Sequence, residues 1–142
     1  MPVKPDKAEN IKTACEYIET AAKKADIIVL PEMWCCPYNA SNFPLYAETS
    51  SGPICATMSE AARRSGKLLI AGSIPEGGNG KVYNSSFVYA PDGSQIARHR
   101  KAHLFDINVE GGIRFCESDT LSPGGSATVF DSPFGKIGLG IC

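Results

Sequence analysis

Ile27-Ile28-Val29-Leu30-Pro31-Glu32 decides the fold class of this chain. Four consecutive apolar residues are too few for a helix, and their lack of alternation suits a strand buried on both faces. Pro31 has no N–H to give and ends the run, leaving Glu32 at the strand tip. Upstream, Ala8, Ile11, Ala14, Ile18 and Ala21 recur at helical spacing. Asp6 is suited to cap that helix with Glu9 three residues on, and the pattern predicts a helix from about Lys7 to Lys24.

Downstream, residues 33–52 read as a loop-rich region. A second helix is predicted over Ile54–Ser65, with Pro53 in its first turn and Gly66 at its end. Lys67-Leu68-Leu69-Ile70-Ala71-Gly72 is the next buried strand, and Gly77-Gly78-Asn79-Gly80 a tight turn into Val82–Tyr89. Pro91-Asp92-Gly93 turns the chain into Ser94–Arg100, and Pro133-Phe134-Gly135 joins Thr128–Phe130 to Lys136–Cys142. Helix–strand–helix–strand followed by hairpins points to an α/β fold, with a mixed sheet carrying helices on one face. The first helix starts near residue 1, and nothing follows the last strand to cover it. Residues 1–142 are therefore expected to form a single incomplete domain, cut at both ends.

Composition narrows the function classes. The net charge is −1, with charged residues at 20% and hydrophobic residues at 43%. That balance lacks the electrostatic footprint of a nucleic-acid binder. No apolar run approaches the ~18 residues of a membrane span, and the start lacks a secretory signal's apolar core. The six cysteines are irregularly spaced, form no C-x-x-C pair and are read as reduced thiols. With two histidines and an adjacent Cys35-Cys36, no metal site is expected.

Three strand ends carry chemistry. Cys142 ends an apolar, glycine-punctuated strand and reads either as a nucleophilic thiol or as a small buried hydrophobe. Glu32 is either a loop glutamate or a strand-end carboxylate able to exchange protons. Lys101 is either a solvated lysine in the run Arg98-His99-Arg100-Lys101 or an inward ammonium that favours a thiolate and then an oxyanion. Glu117 lies in the glycine-rich stretch 111–125, long enough to line a site.

Val29-Leu30-Pro31-Glu32, Arg100-Lys101-Ala102-His103-Leu104-Phe105-Asp106 and Gly138-Leu139-Gly140-Ile141-Cys142 resemble, in order, the three signature regions of the nitrilase (carbon–nitrogen hydrolase) superfamily. Asn84-Ser85-Ser86, Gly111-Gly112-Ile113-Arg114-Phe115, Glu117-Ser118 and Leu121-Ser122-Pro123-Gly124 look most like its omega-amidase branch. The resemblance implies an α-β-β-α sandwich, here partial, lacking the first strand and the C-terminal half. It also implies a Glu–Lys–Cys triad: Glu32 as general base, Lys101 as oxyanion stabiliser and Cys142 as nucleophile. Glu117 matches a second glutamate that positions substrate and lysine, and Tyr38 a substrate-lining tyrosine. Trp34-Cys35-Cys36-Pro37 departs from the pattern expected beside that tyrosine.

The activity so implied is cofactor-free hydrolysis of the side-chain amide of small 2-oxo dicarboxylate monoamides, 2-oxoglutaramate and 2-oxosuccinamate, through a cysteine thioester. A cytoplasmic or mitochondrial enzyme that is homodimeric at full length would follow. Two alternatives stand beside it: another hydrolase of the superfamily, acting on N-carbamoyl amines or nitriles, and a non-catalytic fragment that associates with a complete homologue. A chain ending at Cys142 is expected to turn over negligibly. Its α-carboxylate would oppose the thiolate, and the next backbone N–H, an oxyanion donor worth ~10²–10³ in rate, would be missing.

Overall fold

The computed structural model describes residues 1–142. Helix α1 spans Lys7–Ala21, and the Asp6 carboxylate caps it by accepting from the Glu9 N–H at 3.0 Å. It turns Asn10, Ala14 and Ile18 inward. It stops about a turn short of the expected end because Lys23 and Lys24 are exposed and bury nothing that would hold another turn.

Strand β1, Ile27–Val29, lies parallel to β2, Leu68–Gly78. Between them in sequence come the short helix α2, Phe43–Tyr46, and helix α3, Pro53–Ser65, which ends on Gly66 in the left-handed conformation. Strands β3, Lys81–Tyr89, and β4, Gln95–Arg100, continue antiparallel, giving a mixed sheet of order β1-β2-β3-β4. The turn from β2 to β3 is tighter than the sequence suggests: Gly77 and Gly78 belong to β2, so only Asn79 and Gly80 turn the chain. Both have positive φ, 52° and 72°, as a two-residue hairpin requires.

Helices α1 and α3 cover one sheet face. The main core lies between them, built from Ile18, Trp34, Phe43, Met58 and Leu69 among others. The expectation of helices on one face is met. The other face is only partly covered, by the hairpin of β7, Thr128–Ser132, and β8, Gly135–Leu139, which gathers Leu68, Val88 and Phe130 into a small second cluster. Strand β1 is therefore not buried on both faces as its composition suggests: Val29 is 64% exposed. A second hairpin, β5 (Asp106–Asn108) and β6 (Arg114–Cys116), leads into the glycine-rich stretch 111–125, and a 3-10 turn, Glu117–Asp119, follows it.

Candidate active site

Each candidate side chain is placed by a backbone brace. The Pro31 carbonyl accepts from the Ser73 N–H at 3.1 Å, and Met33 donates its N–H to Ser73 Oγ at 3.1 Å. Glu32 is thus held between two anchors on β2. Met33 has φ 49°, uncommon for a residue with a side chain. Lys101, directly after β4, donates its N–H to the Asn84 carbonyl and accepts from the Gly124 N–H, both at 2.8 Å. A Cβ on Gly124 would stand 2.3 Å from the Arg100 carbonyl oxygen, so only glycine permits that approach. Glu117 is fixed on its own side by a backbone N–H donated to the Phe105 carbonyl at 3.1 Å.

These braces aim three charged groups at one another. Lys101 Nζ lies 2.9 Å from Glu32 Oε1 and 3.0 Å from Glu117 Oε2. The side chains of Lys101 and Glu117 are fully buried, whereas Glu32 keeps 28% of its side-chain surface exposed. The Phe105 N–H donates to Glu117 Oε2 at 2.7 Å, and the Tyr38 hydroxyl donates to Glu117 Oε1. Asn84 Nδ2 donates to Glu32 Oε1 at 2.7 Å. Burial works against the ammonium of Lys101, yet the hydrogen bonds to Glu32 and Glu117 outweigh it and hold the group above its ordinary lysine value. Burial also pushes the Tyr38 phenol upward, reinforced by its bond to Glu117 and the charge on Glu32.

Cys142 and Glu32 both line a cavity of about 260 Å³. Gly72, Ser73, Ser86, Gly140 and Ile141 line it with them. The thiol is exposed and lies beyond the end of β8, with the residue at φ 70°. The buried network does not extend to it: the cavity alone brings thiol and carboxylate together.

The five candidates from the sequence therefore fall into two groups. Glu32, Lys101, Glu117 and Tyr38 form one hydrogen-bonded network, and Cys142 shares a cavity with Glu32. Lys101 is an inward ammonium and not a solvated one. Tyr38 donates its one hydroxyl proton to Glu117, stands 3.4 Å from Glu32 Oε1 and stacks on Phe115 at 5.6 Å. Two polar residues that the sequence reading left without a role are buried here. Asn84 touches Glu32, and Glu76 accepts from Ser85, Arg98 and Arg100, with the Arg100 guanidinium 3.7 Å over the Tyr83 ring. The basic run is thereby internally compensated, and His99 turns to the opposite face beside Thr128. The available signal for Asn84 was three polar residues, Asn84-Ser85-Ser86, between Val82-Tyr83 and Phe87-Val88-Tyr89 of a central strand.

A family model for carbon–nitrogen hydrolases matches residues 1–142. The chain belongs to the carbon–nitrogen hydrolase family. Among curated relatives, it is 50% identical to the omega-amidase NIT2 of Xenopus tropicalis over 141 residues, 99% of this chain and 51% of the relative. It is 49% identical to the human omega-amidase NIT2 over 137 residues, 96% of this chain and 50% of the relative. Among solved structures, the carbon–nitrogen hydrolase fold is matched by Saccharomyces cerevisiae Nit3, a member of branch 10 of the nitrilase superfamily. That match has a TM-score of 0.85 at 36% identity and covers 99% of this chain and 51% of that one. The C. elegans NitFhit protein follows at TM-score 0.83 and 26% identity, over 100% of this chain and 36% of its own. This carbon–nitrogen hydrolase chain spans about half the length of the curated relatives it matches.

Proposed function

We propose that this chain carries the catalytic residues of an omega-amidase-like hydrolase, acting on the side-chain amide of small 2-oxo dicarboxylate monoamides. The observation that carries the reading is Lys101, fully buried between Glu32 and Glu117, with Glu32 opening into the cavity of Cys142. The omega-amidase relatives at about half identity support the substrate class.

In this reading Glu32 takes the thiol proton, and Cys142 Sγ bonds to the amide carbon, driving its π electrons onto oxygen. Lys101 directs two of its three N–H donors at the glutamates and has one left for that oxyanion. Collapse of the intermediate breaks the C–N bond, and Glu32 returns the proton so that ammonia leaves. Water, deprotonated by Glu32, then hydrolyses the thioester to the 2-oxo acid and regenerates the thiol. Glu117 touches no reacting atom. It keeps Lys101 charged and fixed.

The test is ammonia release from 2-oxoglutaramate by a form extended past Cys142 to the length of the relatives. Turnover lost on Cys142→Ala and on Glu32→Gln is expected. A well-folded extended form without turnover on 2-oxoglutaramate or 2-oxosuccinamate rejects the substrate class.

A further inference from the structure

Asn84 spans two of the candidate catalytic groups. Its main-chain carbonyl accepts the Lys101 N–H at 2.8 Å, and its side-chain Nδ2 donates to Glu32 Oε1 at 2.7 Å. The residue is 1% exposed in the middle of β3, paired with Pro75 of β2. Its Oδ1 is buried without a partner. An orphaned buried acceptor costs folding free energy, so a residue kept for stability alone is poorly served by a carboxamide there.

The donors around Glu32 are unevenly distributed. Asn84 Nδ2 at 2.7 Å and Lys101 Nζ at 2.9 Å both donate to Oε1, the Tyr38 hydroxyl, whose one proton goes to Glu117, stands 3.4 Å from the same oxygen, and no donor addresses Oε2. We propose that Asn84 is a positioning residue: its amide anchors Oε1 of Glu32 so that Oε2 is the oxygen presented to the Cys142 thiol. The assignment rests on Glu32 being the base of the proposed reaction. A carboxylate held at one oxygen by a lysine alone can swing about that contact. A second donor, delivered from a rigid central strand, removes that freedom.

The same geometry sets an expectation for pH. The ionisable groups around Glu32 are Lys101 after β4, Glu117 in the 3-10 turn, Tyr38 in the loop after β1, and Cys142 on the shared cavity. Of the donors to Oε1, Asn84 alone cannot change its charge. Removing a donor to a carboxylate disfavours its charged form. The acid limb of thiol reactivity should therefore move to higher pH when Asn84 loses its amide.

The experiment follows iodoacetamide alkylation of Cys142 against pH in the extended form, read site by site by mass spectrometry. Glu32→Gln is expected to move the limb up into the ordinary thiol range, about pH 8.5, because alkylation still needs the thiolate. Asn84→Leu and Asn84→Ser should each move it up by about one pH unit, and Asn84→Asp, which sets a second carboxylate against Glu32, by more. If Glu32→Gln leaves the limb in place, the base assignment falls and this inference with it. If Glu32→Gln moves it while the Asn84 variants lower stability without moving it, only the inference is overturned. Should no Asn84 variant fold, the side-chain ¹⁵N–¹H signals of Asn84 in the unaltered extended form decide. They should shift through the same pH range as the alkylation limb, and an Asn84 amide blind to that range rejects the contact.

Discussion

Gly72 and Pro31 pack backbone against backbone: a Cβ on Gly72 would stand 2.0 Å from the Pro31 carbonyl oxygen. Gly72 also has φ 58° and sits at the register irregularity of β2, between Ile70 and Ser73. That irregularity brings the Ser73 N–H onto Pro31 and Ser73 Oγ onto Met33, one residue either side of Glu32. The approach of the general-base candidate to the sheet therefore depends on a residue with no side chain.

Gly72→Ala is expected to destabilise the fold by about 1–3 kcal/mol or more, because it combines a left-handed φ with a backbone clash. Gly66→Ala is the comparison, since Gly66 has φ 64° but nothing within 4 Å of its would-be Cβ. Urea unfolding should show the larger loss at Gly72. Equal losses would mean that strain alone, and not the contact with Pro31, makes glycine necessary.

Lys101→Met removes the only cation between two carboxylates, one of them fully buried. Breaking a buried pair at one partner costs about 3–5 kcal/mol, since it strands the other charge. The double variant Lys101→Met/Glu117→Gln should recover part of that loss in the same unfolding measurement. No recovery would show that Glu117 is not what Lys101 compensates.

Glu76 makes a pH-dependent contribution of known sign. Burial raises its carboxyl, but the bonds from Arg100 and Ser85 and the charges of Arg100 and Arg98 prevail and hold it below the usual range. A group depressed in the folded state stabilises fully above its unfolded value of ~4.3 and loses that contribution as pH falls through the folded value. The stability difference between wild type and Glu76→Gln should be constant from about pH 6 to 8 and shrink below pH 4. A difference that persists unchanged to pH 3 contradicts this.

Tyr38→Phe leaves Glu117 with Lys101 and the Phe105 N–H, so the expected cost is modest, about 0.5–1.5 kcal/mol. Burial, the bond to Glu117 and the charge on Glu32 keep this phenol protonated above the ordinary tyrosine range. The phenolate absorbance step between pH 9 and 11 should therefore be the same size in Tyr38→Phe as in wild type. A smaller step in the variant would place Tyr38 outside the network.

Much of the fold was legible because its signals are local. The helical spacing from Ala8 to Ala21, the cap at Asp6 and the break at Pro31 act through neighbours in sequence, and the structure follows them closely. The one-sided exposure of β1 was not legible, because Val29 reads as a core residue in any strand whose second face is packed. Glu32 and Cys142 were identifiable as candidates at the ends of apolar runs, and Lys101 as a candidate at the end of a basic one. Asn84 was not assignable, because nothing in its own segment shows that its amide meets a carboxylate 52 residues away.

Periodicity, turn chemistry and the order of three motifs determined by themselves the α/β architecture and the family, and named the candidate reactive groups. Only the tertiary structure decided which atoms meet. It collected two donors on one oxygen of Glu32, sealed Lys101 against Glu117 and set Cys142 on the cavity that Glu32 lines. The reason is physical: secondary structure follows from contacts a few residues apart. The direction of a buried charge depends on partners 16 to 69 residues distant, which only packing brings within 3 Å.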